Sequence, residues 1–236
     1  MRVYPVNLIE GTTMYSAQKE SYSVMTDLYN RFMAYQVDFN SNEVLIEGSW
    51  IQFEEIDSMI IGNTNATSGK LSVFDGSELV EYKEFDIIDY VTIYNFDMKR
   101  TNKFILELIG TENVRLGYLF LGQKWELPRF VTLPVKGTLL RNEADRTFTG
   151  QVTGIPIEPL RTFQAEFIRI KNEDKELFDT YVQGVQMVIP HVIDPYYEAH
   201  KEFEPFFATV TAYGEATKRA ENGFFWNFNC QWMEAR

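Results

Sequence analysis

From Phe224 to Met233 the chain alternates without a break. Phe224, Trp226, Phe228, Cys230 and Trp232 share one face, and Phe225, Asn227, Asn229, Gln231 and Met233 share the other. Successive strand side chains point to opposite sides, so an apolar row on every second residue predicts a strand half sunk in a core. Upstream, Phe206, Ala208, Val210 and Ala212 also share a face, and a charged segment with Lys218, Arg219 and Glu221 closes at Asn222-Gly223. Together they predict a C-terminal β-hairpin.

The same reading fills the stretch from Glu43 to about Gly122. Val44-Leu45-Ile46 and Ile56 to Ile61 are apolar runs, the second stopped by Gly62-Asn63-Thr64-Asn65. Lys70 to Phe74 alternates into an Asp75-Gly76 turn signal, where glycine tolerates positive φ. Leu79 to Tyr82, Tyr90 to Phe96, Lys103 to Ile109 and Arg115 to Gly122 follow. Short strands at this spacing predict a sandwich or jelly roll. The aromatic content, 15% of residues, fits that architecture, because rings suit a pleated, half-buried surface.

Elsewhere the period changes. Ser23 to Tyr35 is a possible helix, with Met25, Leu28, Tyr29 and Phe32 on one face. The proline-marked stretch through Pro134 reads as a connector, and Ile155 to Pro159 as an interruption after a strand from Arg146 to Thr153. Phe163, Ala165 and Phe167 alternate. Asn172 then serves as the expected N-cap of a helix with Leu177, Phe178, Tyr181, Val182 and Val185 on one face, frayed at Gly184. The fold class is therefore mainly β: an N-terminal arm or helix over 1–40, a β-sandwich over 41–130, and an α+β domain with one helix and a C-terminal hairpin over 131–236.

Chemistry is sparse. The net charge of -12 disfavours nucleic acid and anionic lipid. No run of about 18 apolar residues predicts a membrane helix. The N-terminus lacks the apolar stretch of a signal peptide, so a cytoplasmic origin is expected. The single cysteine, Cys230, allows no internal disulfide and reads as a buried strand residue. His191, read as a loop residue, and His200 fit no helical metal pair. P-loop, dinucleotide and serine-elbow motifs are missing. Glu54-Glu55-Ile56-Asp57 is the densest early acidic cluster, but a glycosidase needs two carboxyl groups about 5–10 Å apart, which spacing alone cannot place. Asn63 to Ser68 lacks the ligand spacing of an EF-hand. No catalytic residue, cofactor or metal is expected.

Aromatic side chains are the remaining binding candidates. Trp50, Trp125, Tyr82, Tyr90 and Tyr94 could form a sugar platform, with core packing as the first reading for most. Tyr196-Tyr197 follows Asp194-Pro195 in a loop-like segment and is the best guess for exposed rings.

Several segments carry a resemblance. Ile56 to Asn65 is similar to a jelly-roll strand and turn, and Gly117 to Gly122 with Trp125-Glu126-Leu127-Pro128 is similar to the strand that closes the sandwich. Arg146, Thr149-Gly150-Gln151, Arg161-Thr162-Phe163, the stretch from Phe167 to Val185 and the close at Trp226 to Glu234 continue it. Over roughly residues 40–236 the chain resembles tail-associated virion proteins of bacteriophages, which carry a galactose-binding-like jelly roll followed by a smaller α+β region. The resemblance implies a non-enzymatic structural component of a phage or prophage tail or baseplate, assembled in the bacterial host cytoplasm. It also implies other tail proteins as partners and a homo-oligomeric ring. Phe225, Met233, Tyr196 and Tyr197 are the expected assembly contacts. The alternative is a carbohydrate-binding module recognising a cell-surface glycan through Trp50 and Trp125, and a glycan hydrolase ranks last.

Overall fold

A computed structural model describes residues 1–29, 36–128, 135–146, 152–195, 204–214, 217–218 and 225–235. In chain order its strands are β1 (Arg2–Tyr4), β2 (Thr13–Tyr15), β3 (Val37–Asp38), β4 (Glu43–Thr64), β5 (Ala66–Asp75), β6 (Glu78–Asp86), β7 (Val91–Gly110), β8 (Arg115–Gly122) and β9 (Trp125–Glu126). Then come β10 (Val135–Arg146), β11 (Val152–Lys171), the helix α1 (Asn172–Val185), β12 (His191–Asp194), β13 (Phe206–Tyr213), β14 (Thr217–Lys218) and β15 (Phe225–Glu234). The protein is a mainly-β sandwich with antiparallel sheets and, among the described residues, one α-helix.

Two compact units divide the chain: Arg2–Trp125 with Val192–Pro205, and Glu126–His191 with Phe206–Ala235. In the first, the sheet runs β3-β8-β4-β7-β5-β6, with β2 added beside β4. The two apolar runs expected as separate strands are one continuous β4. Its ladder with β7 shifts register between Ser49 and Glu54 and again between Ile56 and Ser58. Bulges of this kind bend a strand without ending it. Both halves of β4 therefore feed one core: Val44 and Ile46 from the first, Ile56, Met59 and Ile61 from the second, packed with Leu71, Phe104, Leu106 and Leu119. Burying aliphatic side chains of this size contributes about 1.5–3 kcal/mol each. β1 and β12 pair within the same unit, and Tyr4 of β1 meets Phe120 edge-on at 5.8 Å.

The stretch from Ser23 to Tyr35 forms a short 3-10 helix over Met25–Tyr29 in place of the expected α-helix, where described. Leu28 is buried there, while Met25 and Tyr29 pack against the core.

In the second unit the order is β10-β11-β15-β13, with β14 beside β15. Phe228, Cys230 and Trp232 of β15 are buried, as the alternation requires. The prolines near 156–159 do not interrupt β11. Among the described residues that part of the strand pairs only with β10, and the register shift between Leu139 and Arg141 accommodates Glu158 and Pro159. A strand lacking one neighbour, or bulged, tolerates a residue that cannot donate.

α1 starts at Asn172, so its cap lies one residue earlier than expected. Lys171 is the N-cap, without a side-chain cap bond, and the Asn172 Oδ1 instead accepts from the Trp226 Nε1 at 2.7 Å. The helix runs past Gly184 to a left-handed C-cap at Gln186. Phe178, Tyr181, Val182 and Val185 are buried as expected, but Leu177 is exposed and Lys175 takes a place in the buried face.

Candidate functional site

The first unit gathers several connections at one end of its sheet. The turn from β4 to β5 places Asn65 there. Its amide Nδ2 donates to the Glu112 Oε1 at 3.1 Å and to the Asn113 carbonyl at 2.9 Å, and its Oδ1 accepts from the Arg115 backbone N–H at 2.7 Å. Thr64 donates its hydroxyl to the Arg115 carbonyl at 2.6 Å. These bonds hold the β7–β8 connection in place. Across from it, Phe39 donates its N–H to the Val114 carbonyl and Glu20 donates to the Asp38 carbonyl, at 3.0 and 2.9 Å.

Between these loops lies a polar cleft of about 250 Å³, lined by Glu20, Tyr22, Asp38, Glu112, Asn113 and Arg115 over a floor that includes Phe39. Tyr22 is 71% exposed, so its ring stands free at the rim. Desolvation, and then the carboxylates of Asp38 and Glu20, push its hydroxyl above the ordinary phenol pKa, so it remains a protonated donor at neutral pH. The Arg115 guanidinium lies 3.5 Å from Glu112. A guanidinium has five donors in a fixed fork, and that single long contact leaves most of them facing the cleft or solvent. The arrangement offers an aromatic face, planar donors and carboxylate acceptors within one small space.

The expected platform residues do not converge. Trp50 is 7% exposed, its Nε1 donates to the Leu8 carbonyl at 2.8 Å, and its ring packs on Phe104 at 5.4 Å. Those contacts make Trp50 a core residue, so it presents no face to a sugar. Trp125 is half-buried in β9. Tyr82 stands exposed on β6, its hydroxyl donating to Glu84 at 2.6 Å. Tyr94 lies half-buried in a row with Phe85 and Phe96, at 6.2 and 6.1 Å. Tyr90 is exposed in the β6–β7 connection. Of the expected assembly contacts, Phe225 is exposed, Met233 is half-buried on the outward face of β15, and Tyr196 and Tyr197 lie outside the described residues.

The other singled-out groups are engaged elsewhere. Asp57 is buried, accepting from the Ser58 hydroxyl and the Lys124 backbone N–H. His191 is a fully buried strand residue, not a loop residue, and burial lowers its pKa to about 4. Burial likewise raises the Cys230 thiol far above its usual value, as suits an inert core sulfur.

No residue of the cleft was visible as a site in the sequence. Its members come from segments around 20, 38 and 112–115. The signal available was polar residues between strand patterns, which every loop shares.

No family model matches the chain, and no curated protein matches it. Solved structures similar to it include a Streptococcus pneumoniae fucose binding module at 12% identity, covering 50% of this chain and 95% of that one, with a TM-score of 0.44. A family 32 carbohydrate-binding module of NanJ from C. perfringens, in complex with galactose, shows 11% identity over 53% of this chain and all of that one, at a TM-score of 0.43. A structure described as SpGH29 shows 9% identity and a TM-score of 0.46, and the chain spans only 28% of its length. The mainly-β sandwich expected from the sequence stands on its own antiparallel sheets. The expected role as a phage-tail component is corrected: two of the similar structures are a fucose binding module and a galactose-complexed carbohydrate-binding module, not virion proteins.

Proposed function

We propose that this protein is a non-catalytic carbohydrate-binding module whose site is the loop-end cleft of its first unit. The observation that carries the reading is the exposed Tyr22 ring standing among Arg115, Asn113 and the carboxylates of Glu20, Asp38 and Glu112. A sugar ring has an apolar C–H face and a rim of hydroxyls that both donate and accept. An aromatic side chain serves the first. Amide, guanidinium and carboxylate groups serve the second, charged partners making the stronger bonds. The cleft, at about 250 Å³, falls below the ~300–1,000 Å³ of drug-sized pockets, which suits one sugar unit at the end of a glycan.

A glycan array followed by titration of the hits tests this. The expected result is binding to a restricted set of glycans, weakened about tenfold or more by Tyr22→Ala and by Arg115→Ala, with the unfolding temperature little changed. Silence across the array, or affinity indifferent to both substitutions, would exclude the reading.

A further inference from the structure

The outward face of β15 has no part in that site, although its alternation is the most regular in the chain. In the second unit, Gln164 of β11 and Gln231 of β15 are direct partners in the antiparallel ladder, and Thr162 lies opposite Met233. Both glutamine side chains point away from the core, where Phe163 and Trp232 meet at 5.5 Å beneath them. Among the described residues neither carboxamide is engaged by another side chain or backbone group. On the far side of Thr162, Gly137 of β10 is its ladder partner, and a Cβ at that position would stand 2.4 Å from the Thr162 Oγ1. The Thr162 hydroxyl therefore takes the space that a side chain at 137 would need, and β10 presents only backbone at that point of the face. With Thr211 at its border, the face becomes a cleft of about 340 Å³, within the range of small-ligand sites.

We propose that this cleft binds an uncharged polyhydroxylated chain, a neutral oligosaccharide. Gly137, Thr162, Gln164, Thr211, Gln231 and Met233 carry no charge, in a chain whose residues are 24% charged with a net charge of -12. Among the described residues that line the cleft, a charged ligand would find no counter-charge. Each carboxamide supplies two donors and an acceptor and each hydroxyl supplies both, the mixture that sugar hydroxyls require. The Met233 side chain adds an adaptable apolar contact for C–H faces. The packed Phe163–Trp232 layer fixes the ladder, so little ordering is needed when a ligand arrives. The loop-end site and this cleft share no residue and stand or fall separately.

The test uses the full chain carrying Arg115→Ala, so that the loop-end site is impaired, titrated calorimetrically with cellohexaose, laminarihexaose, maltohexaose and chitohexaose. At least one should bind, and adding Gln164→Ala with Gln231→Ala should lower its affinity about tenfold or more at an unchanged unfolding temperature. Gln231→Glu, nearly isosteric, should weaken the same ligand by replacing the two amide donors with an acceptor-only carboxylate. Failure of all four to bind, undiminished binding by both variants, or tighter binding of hexagalacturonic acid than of any neutral chain overturns the proposal.

Discussion

Gly48 faces Phe104 directly across the β4–β7 ladder, and a Cβ there would sit 2.1 Å from the ring's Cε1. Phe104 is fully buried against Trp50 and has nowhere to retreat. Gly48→Ala should therefore destabilise the protein by about 1–3 kcal/mol, the usual cost of overpacking, read from the denaturant midpoint. An unchanged midpoint would mean that the Phe104 ring is not held as described. Arg169 presents the opposite case. It adopts φ 59°, in the left-handed region, at the bulge where the β11–β15 register shifts, and its N–H donates to the Asn227 Oδ1 at 3.0 Å. Arg169→Gly should relieve that strain and raise stability by up to about 1 kcal/mol, less whatever entropy the glycine adds to the unfolded chain. A loss of stability would show that the arginine side chain contributes more than its backbone costs.

Helix α1 is held to its sheet by an ion pair set among rings. The Lys175 ammonium contacts the Asp179 carboxylate one turn on, and lies 5.4, 5.5 and 5.6 Å from the centroids of Tyr213, Trp226 and Phe228. Asp179 also accepts from the Tyr213 hydroxyl at 2.6 Å. Removing one partner of a buried pair costs about 3–5 kcal/mol. The Asp179 side chain is 35% exposed, so Lys175→Ala should cost less, about 2–3 kcal/mol including the lost cation–π contacts. Lys175→Met, which keeps the stem but not the charge, should cost less than the alanine in the same unfolding experiment. Equal losses would assign the whole effect to the charge. This element also shows where a periodic pattern misleads. Leu177 and Lys175 lie two residues apart, and counting apolar residues favoured the leucine for the core. The sheet offered an aromatic surface to which a cation is better matched, and tertiary context overrode the pattern.

At the scale of the whole molecule, one buried network ties stability to pH. The Trp232 Nε1 donates to the Tyr181 hydroxyl at 2.8 Å, the Tyr181 hydroxyl lies 2.6 Å from the His191 Nε2, and the His191 Nδ1 lies 2.9 Å from the Ile189 carbonyl. With Nδ1 donating to that carbonyl, Nε2 keeps its lone pair for the tyrosine, so the neutral ring satisfies every member. Desolvation holds the folded pKa near 4, against about 6.5 when unfolded. Between those values the unfolded chain binds more protons. The histidine's contribution is thus fully present above about pH 6.5 and is lost as pH falls toward 4, in total about 3 kcal/mol. Denaturant titrations from pH 7 to 4 should show this decline, and His191→Asn, which cannot titrate, should show a shallower one. Matching slopes would remove the histidine from the account.

What the sequence alone determined was the local backbone: a two-residue period at β15, turn chemistry at Asp75-Gly76 and a helical period before Val185. These depend on neighbours a few residues apart, and together they specify a mainly-β sandwich with one helix. Only the tertiary structure decided that Trp50 belongs to the core, that a bulge carries β4 through as one strand, and that Tyr22, Asp38 and Arg115 meet. Those outcomes depend on which surfaces face each other once the sheet has bent, and a pattern of period two carries no information about the partner across the core.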